Sequence, residues 1–226
     1  MNQGFLPVFN WGLRRVVRWP KVFVVALIAV GGGVLIGRLV RDAAEPAAML
    51  AKVLDRGVLT VGLPLIALLL AGEAFAYEVQ SRTLVYHLVR PVKRSTLFLA
   101  RFFSGYVPAA LVATLFLIAI YKTSGVAMTA RAWASIPVSA GLGVLALSAI
   151  FYTLAALSKH GLIAGLIYTF VVETLVSSVP GSMQKLSVMF HVRSLSHWLT
   201  EGVLPAVPPP KRRSMFEFTA RTIEDS

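Results

Sequence analysis

The sequence predicts an all-α fold, a polytopic integral membrane helical bundle, and three observations predict it. Apolar residues make up 57% of the 226 and charged residues only 14%, where a soluble domain carries roughly 25% charged residues. The mean hydropathy is +0.74, and a soluble chain of this size needs far more polar surface to cover its core. The apolar residues also gather into five runs separated by short polar and basic stretches. Each run is close to the roughly 20 residues that cross a hydrocarbon core of about 30 Å. Alternating β-barrel segments of about ten residues do not produce such runs.

The first 21 residues read as an interfacial segment. Phe5, Leu6, Phe9, Trp11, Leu13, Val16 and Val17 interleave with Arg14, Arg15 and Arg18, the mixture of a helix lying along lipid headgroups. Pro20 ends it. A membrane domain over residues 22–179 follows, with spans at about 22–40, 58–75, 102–121, 133–157 and 161–179. The basic start and first apolar run also fit a signal peptide, but four further runs follow, so the first span reads as a signal anchor. Pro108 lies inside the third span and Pro137 near the start of the fourth. Only Ser158, Lys159 and His160 separate the fourth and fifth runs, which forces a tight antiparallel hairpin. Residues 180–226 form an interfacial and polar tail, broken by Pro205 and by Pro208, Pro209 and Pro210.

The formal charge of +12 sits in clusters between the apolar runs. That placement orients spans and meets anionic membrane lipid, and argues against nucleic acid as a partner. With the N-terminus in the cytoplasm, Arg14, Arg15, Arg18, Lys21, Arg82, Arg90, Lys93, Arg94 and Lys159 fall inside. Arg38, Arg41, Lys52, Arg56, Lys122 and Arg131 fall outside. The inside excess is modest. The chain has no cysteine, which removes disulfides, thiolate metal sites and thiol catalysis. Its four histidines show no metal-ligand spacing, so no metal site is expected. The sequence also lacks a P-loop and a His-Glu-x-x-His motif, so it holds neither a phosphate cradle nor the usual zinc-protease signature.

Three features carry more information. The stretch Glu78-Val79-Gln80-Ser81-Arg82-Thr83-Leu84 and then Arg90-Pro91-Val92-Lys93-Arg94 lies between the second and third runs. Residues 81–89 are long enough for a short helix parallel to the membrane, which Arg90-Pro91 would end because a residue before proline avoids the helical region. A plain basic anchoring loop fits the same residues. Glu173 stands within the fifth run, where a carboxylate is expensive and faces a cavity, a partner or the bundle interior. Glu73 sits at a span end, where reaching the headgroups is easier. Gly33 with Gly37, and Gly161 with Gly165, fit the small-xxx-small pattern of close helix packing, inside one subunit rather than at a dimer seam.

The order of the acidic residue, Arg82-Thr83-Leu84, and Leu88-Val89-Arg90-Pro91-Val92-Lys93-Arg94 resembles the first cytoplasmic loop of type-two ABC transporter permeases. Tyr168 to Leu175 with Glu173, followed by Val179-Pro180-Gly181 and Leu186-Ser187, is similar to that family's fifth span. The resemblance implies a permease subunit of an ATP-driven exporter in the plasma membrane of a bacterium. It assigns Glu78, Arg82, Thr83, Leu84, Arg90, Pro91 and Arg94 to a coupling helix that docks on a separate nucleotide-binding ATPase subunit. ATP and magnesium would bind there and no cofactor on this chain. A second permease copy or a paralogue would complete the transporter. Family members usually carry six spans, against five apolar runs here. A non-transporting membrane scaffold that recruits a soluble partner through the same basic loop is the rival reading.

Overall fold

The computed structural model describes residues 5–18, 20–72, 94–127, 130–158, 160–176, 188, 191 and 192. Among these there is no strand, and six helices account for nearly all of the described residues. The helices are α1 (Phe5–Arg18), α2 (Pro20–Arg41), α3 (Pro46–Gly72), α4 (Arg94–Thr123), α5 (Ala130–Leu157) and α6 (161–176). Four of them, α2 to α5, are long and apolar enough to cross a membrane, and α6 contributes a shorter apolar helix. The expected polytopic helical bundle is the fold observed.

Two helices extend beyond their apolar runs. α3, the expected second span, begins at Pro46 rather than near 58. Pro46 is set for a helix start, since its missing N–H is one that no helix would bond there. The polar shoulder is tolerated because Lys52 points outward while Leu50, Ala51 and Leu54 turn inward. The fourth helix starts at Arg94 rather than at 102 and therefore takes Arg101 into the bundle.

Close approach of backbones holds the helices together. A Cβ built on Gly33 would stand 2.9 Å from the Phe116 carbonyl oxygen, and one on Gly37 2.6 Å from that of Ile120 and against the Thr123 hydroxyl. Both glycines thus seat α2 on α4. On the next seam, a Cβ on Gly161 would meet the Ala155 Cα at 2.5 Å, and one on Gly165 would meet Leu68 and Phe151. These contacts close the α5–α6 hairpin and pack α6 on α3. The turn is fixed by the Ser158 hydroxyl, which accepts the His160 N–H at 3.1 Å. Between α4 and α5, Gly125 takes a φ of +70°, the left-handed region that favours glycine.

The core runs along the bundle axis through Leu50, Leu63, Leu68, Ile120, Leu147 and Phe151. The outer surface is equally apolar: Phe23, Leu27, Leu35 and Leu39 on α2, and Leu111 on α4, are all more than half exposed. That inverted surface is the mark of a lipid-facing bundle, since a soluble protein rarely exposes large apolar patches. The chain direction sets two faces. The start of α2, the end of α3, the start of α4 and the α5–α6 turn share the near face; the opposite helix ends share the far face.

Candidate functional site

Polar chemistry is concentrated at two places, one toward each face. On the far face, two π-helical stretches pack against each other, residues Leu54–Gly62 of α3 and Thr169–Val176 of α6. Their i→i+5 bonding is rare and often marks functional sites. In α3 the wide turn precedes Pro64, which has no N–H and whose ring crowds the preceding turn; Leu63 donates back to the Val58 carbonyl, five residues earlier.

In α6 the π turn builds a polar clamp. Residues five apart on an α-helix stand about 140° apart around the axis, so Tyr168 and Glu173 would not meet. With the π turn the Tyr168 hydroxyl donates to Glu173 Oε1 at 3.2 Å. The same oxygen accepts the backbone N–H of Val188, also at 3.2 Å. Glu173 is fully buried, so the intramembrane carboxylate faces the bundle interior and ties a later segment of chain to α6. Tyr168 is steered by an edge-on contact with Phe151, ring centres 6.1 Å apart.

The near face holds an arginine that the sequence reading did not single out. Arg101 is 4% exposed inside α4, and its guanidinium lies 4.5 Å from the centre of the Trp11 ring. The cation is expensive in a span, and stacking over an aromatic face offsets part of that cost. The neighbouring backbone is reinforced: Ser104 Oγ and Tyr152 Oη donate to the Arg101 carbonyl at 2.8 and 2.9 Å. Gly12, one residue after Trp11, lies so close that an added Cβ would stand 2.7 Å from Ser104 Oγ. The amphipathic α1 is thereby locked to the first turns of α4. A long-range pair across 90 residues of sequence leaves no local pattern, which is why only the unusual arginine two turns into the helix could have signalled it.

The other expected site residues fall as follows. Glu73, Glu78, Arg82, Thr83, Leu84, Arg90 and Pro91 lie outside the described residues. Arg94 is the first residue of α4. Gly33, Gly37, Gly161 and Gly165 stand at helix seams within the subunit. Among the described residues no three His, Asp or Glu side chains gather in a way that could hold a metal ion.

A lipid-facing bundle of helices, with an amphipathic helix locked to its near face and a buried carboxylate toward the far one, defines a multi-pass helical membrane protein. The sequence profile of the family described as ABC-2 type transporter matches residues 9–197, and the chain belongs to that family. It is a membrane permease subunit of an ABC transporter, a family whose transport subunits work with partner ATPases. No curated protein and no solved structure matches the chain.

Proposed function

We propose that the subunit is half of an exporter, driven by a separate ATPase that engages residues 78–94. The observation that carries this reading is the placement of the flanking helices. The end of α3, Leu68–Gly72, packs on α4, so the 73–93 connector leaves and rejoins the bundle on one face. That is the face where α1 is locked to α4 and where the α5–α6 turn lies. A push on the connector reaches Arg94 directly and travels along a single 30-residue helix to the α2 seam at Phe116 and Ile120.

Two packings of the bundle, biased by the ATPase state, then give alternating access. ATP and magnesium bind on the partner subunit, and a second permease copy or a paralogue completes the pathway. The N-terminus and near face lie in the cytoplasm and the far face outside, in the plasma membrane. Glu173 then acts as the outer clamp, holding the segment around Val188 until the bundle changes packing.

Co-purification and coupling assays test the proposal. The complex should contain an ATPase whose hydrolysis this subunit stimulates. Glu78→Ala and Arg82→Ala should abolish the stimulation while leaving assembly of the subunit largely intact. Stable isolation with another membrane protein and no ATPase would instead support a scaffold, and coupled transport unaltered in both variants would remove the loop assignment.

A further inference from the structure

α4 and α5 each carry a proline inside the helix, Pro108 and Pro137. A proline has no N–H, so Pro108 cannot bond the Ser104 carbonyl and Pro137 cannot bond the Trp133 carbonyl. Each ring also crowds the carbonyl that it fails to bond, and helices bend at such gaps. One proline in a span is common and by itself carries little. These two stand at one level. The Tyr106 hydroxyl donates to the Gly141 carbonyl at 3.2 Å, which fixes how the two antiparallel helices line up. Pro108 lies two residues, about 3 Å, beyond that bond toward the far face, and Pro137 four residues, about 6 Å. The two gaps form a line across the α4–α5 seam.

The contacts divide along that line. On its near side, Tyr152 Oη donates to the Arg101 carbonyl at 2.9 Å, and Phe98 and Phe102 meet the Tyr152 ring edge-on at 6.1 and 5.2 Å. Phe102 in turn stacks on Tyr106, ring centres 6.3 Å apart. The Trp11–Arg101 and Gly12–Ser104 contacts add α1 to the same block. On the far side, α4 seats other helices. Gly33 and Gly37 of α2 meet Phe116, Ala119, Ile120 and Thr123, and Gly62 of α3 meets the Phe116 ring. α3 is itself interrupted by Pro64 and the π-helical stretch before it, so it is no straight strut across the line.

We infer that Pro108 and Pro137 form one hinge line, on which the near halves of α4 and α5, with α1, turn as a block against the far half of α4 and the helices seated on it. The hinge follows from the packing alone; that an ATPase turns it rests on the function proposed above. A push on the connector enters the near block at Arg94 and reaches the far half of α4 through the line. The near part of α5, residues 138–157, is about 30 Å long at 1.5 Å per residue, so a turn of about 10° carries Leu157 about 5 Å.

Spin-label distances in the assembled transporter test this, since the chain has no cysteine of its own. The crossing pair is Leu115→Cys with Leu157→Cys, and the pair inside the near block is Leu6→Cys with Leu157→Cys; all three positions are at least half exposed. Transporters carrying one labelled subunit are measured without nucleotide and with ATP and vanadate. Without nucleotide the crossing pair should give a broader distance distribution than the near pair. Trapping should shift its mean by about 5 Å, the swing of the α5 end, and leave the near pair unchanged. Pro108→Ala with Pro137→Ala, which returns both helix bonds, should narrow the crossing distribution to the width of the near pair and remove the shift. Equal widths and equal shifts for the two pairs in the chain that keeps both prolines would overturn the hinge, and so would a crossing pair indifferent to the two alanines. A crossing distribution that is broad, narrows with the alanines and ignores nucleotide would support the hinge and remove the ATPase as its drive.

Discussion

Single residues decide two things in this subunit, how closely the helices approach and how a buried carboxylate is held. Gly31 and Gly32 face open space, whereas Gly33 and Gly37 lie against the α4 backbone. The same substitution should therefore have opposite effects about one and a half turns apart. Gly32→Ala should be neutral or slightly stabilising, because alanine is the better helix former by up to about 1 kcal/mol. Gly37→Ala forces a methyl group onto the Ile120 carbonyl and the Thr123 hydroxyl, and overpacking of this kind costs about 1–3 kcal/mol. Melting of the two purified variants in detergent reads the difference directly; equal melting temperatures would mean that α2 does not seat on α4. Glu173 permits a similar contrast. Glu173→Gln keeps a carbonyl oxygen for the Tyr168 hydroxyl and the Val188 N–H, while Glu173→Leu keeps the volume and loses the acceptor. Hydrogen bonds between membrane helices average about 0.6 kcal/mol, so Glu173→Leu should lose about 1 kcal/mol of stability and Glu173→Gln much less. If the clamp gates the far face, transport should follow the same order.

At the scale of elements, the N-terminal helix is joined to α4 by the Trp11–Arg101 stack and the Gly12–Ser104 contact. The chain has no cysteine, so Ser104→Cys introduces a single thiol beneath α1. That thiol should be protected in the otherwise unaltered chain and should react with a maleimide about tenfold faster once Trp11→Ala removes the stack, in line with a cation–π contribution of up to about 2 kcal/mol when desolvated. Trp11→Phe should fall between. Identical rates in all three would mean that α1 is held by something other than this pair. The helices themselves were legible in the sequence because the bilayer demands long apolar runs. The starts of α3 and α4 were not: polar residues such as Lys52, whose side chain is exposed, extend α3 past its apolar run at little cost, and α4 likewise begins before its run, at Arg94. The clamp at Glu173 was half legible: its carboxylate stood out, but its partner five residues away meets it only through a π turn, which no α-helical spacing predicts. The Arg101 stack was hidden because its two members belong to different elements.

For the whole molecule the open question of architecture is which face looks into the cytoplasm, and the charges answer it only weakly. With the spans read from the sequence, nine basic residues between them fall on the side of the N-terminus and six on the other, an excess too small to orient the chain by itself under the positive-inside rule. The orientation proposed above also makes sense of what each face carries. The near face carries the amphipathic α1, the flanks of the 73–93 connector and the α5–α6 turn, whereas the far face carries short turns such as 42–45 and 124–127. A face that must meet a soluble ATPase needs the former. Two exposed positions separate the alternatives, Ala44 in the far turn and His160 in the near one. In intact bacterial spheroplasts a membrane-impermeant maleimide should label Ala44→Cys, and should label His160→Cys only after the membrane is permeabilised. The reverse pattern would turn the subunit over, place the connector outside the cell, and remove any route by which ATP hydrolysis could reach α4 through Arg94.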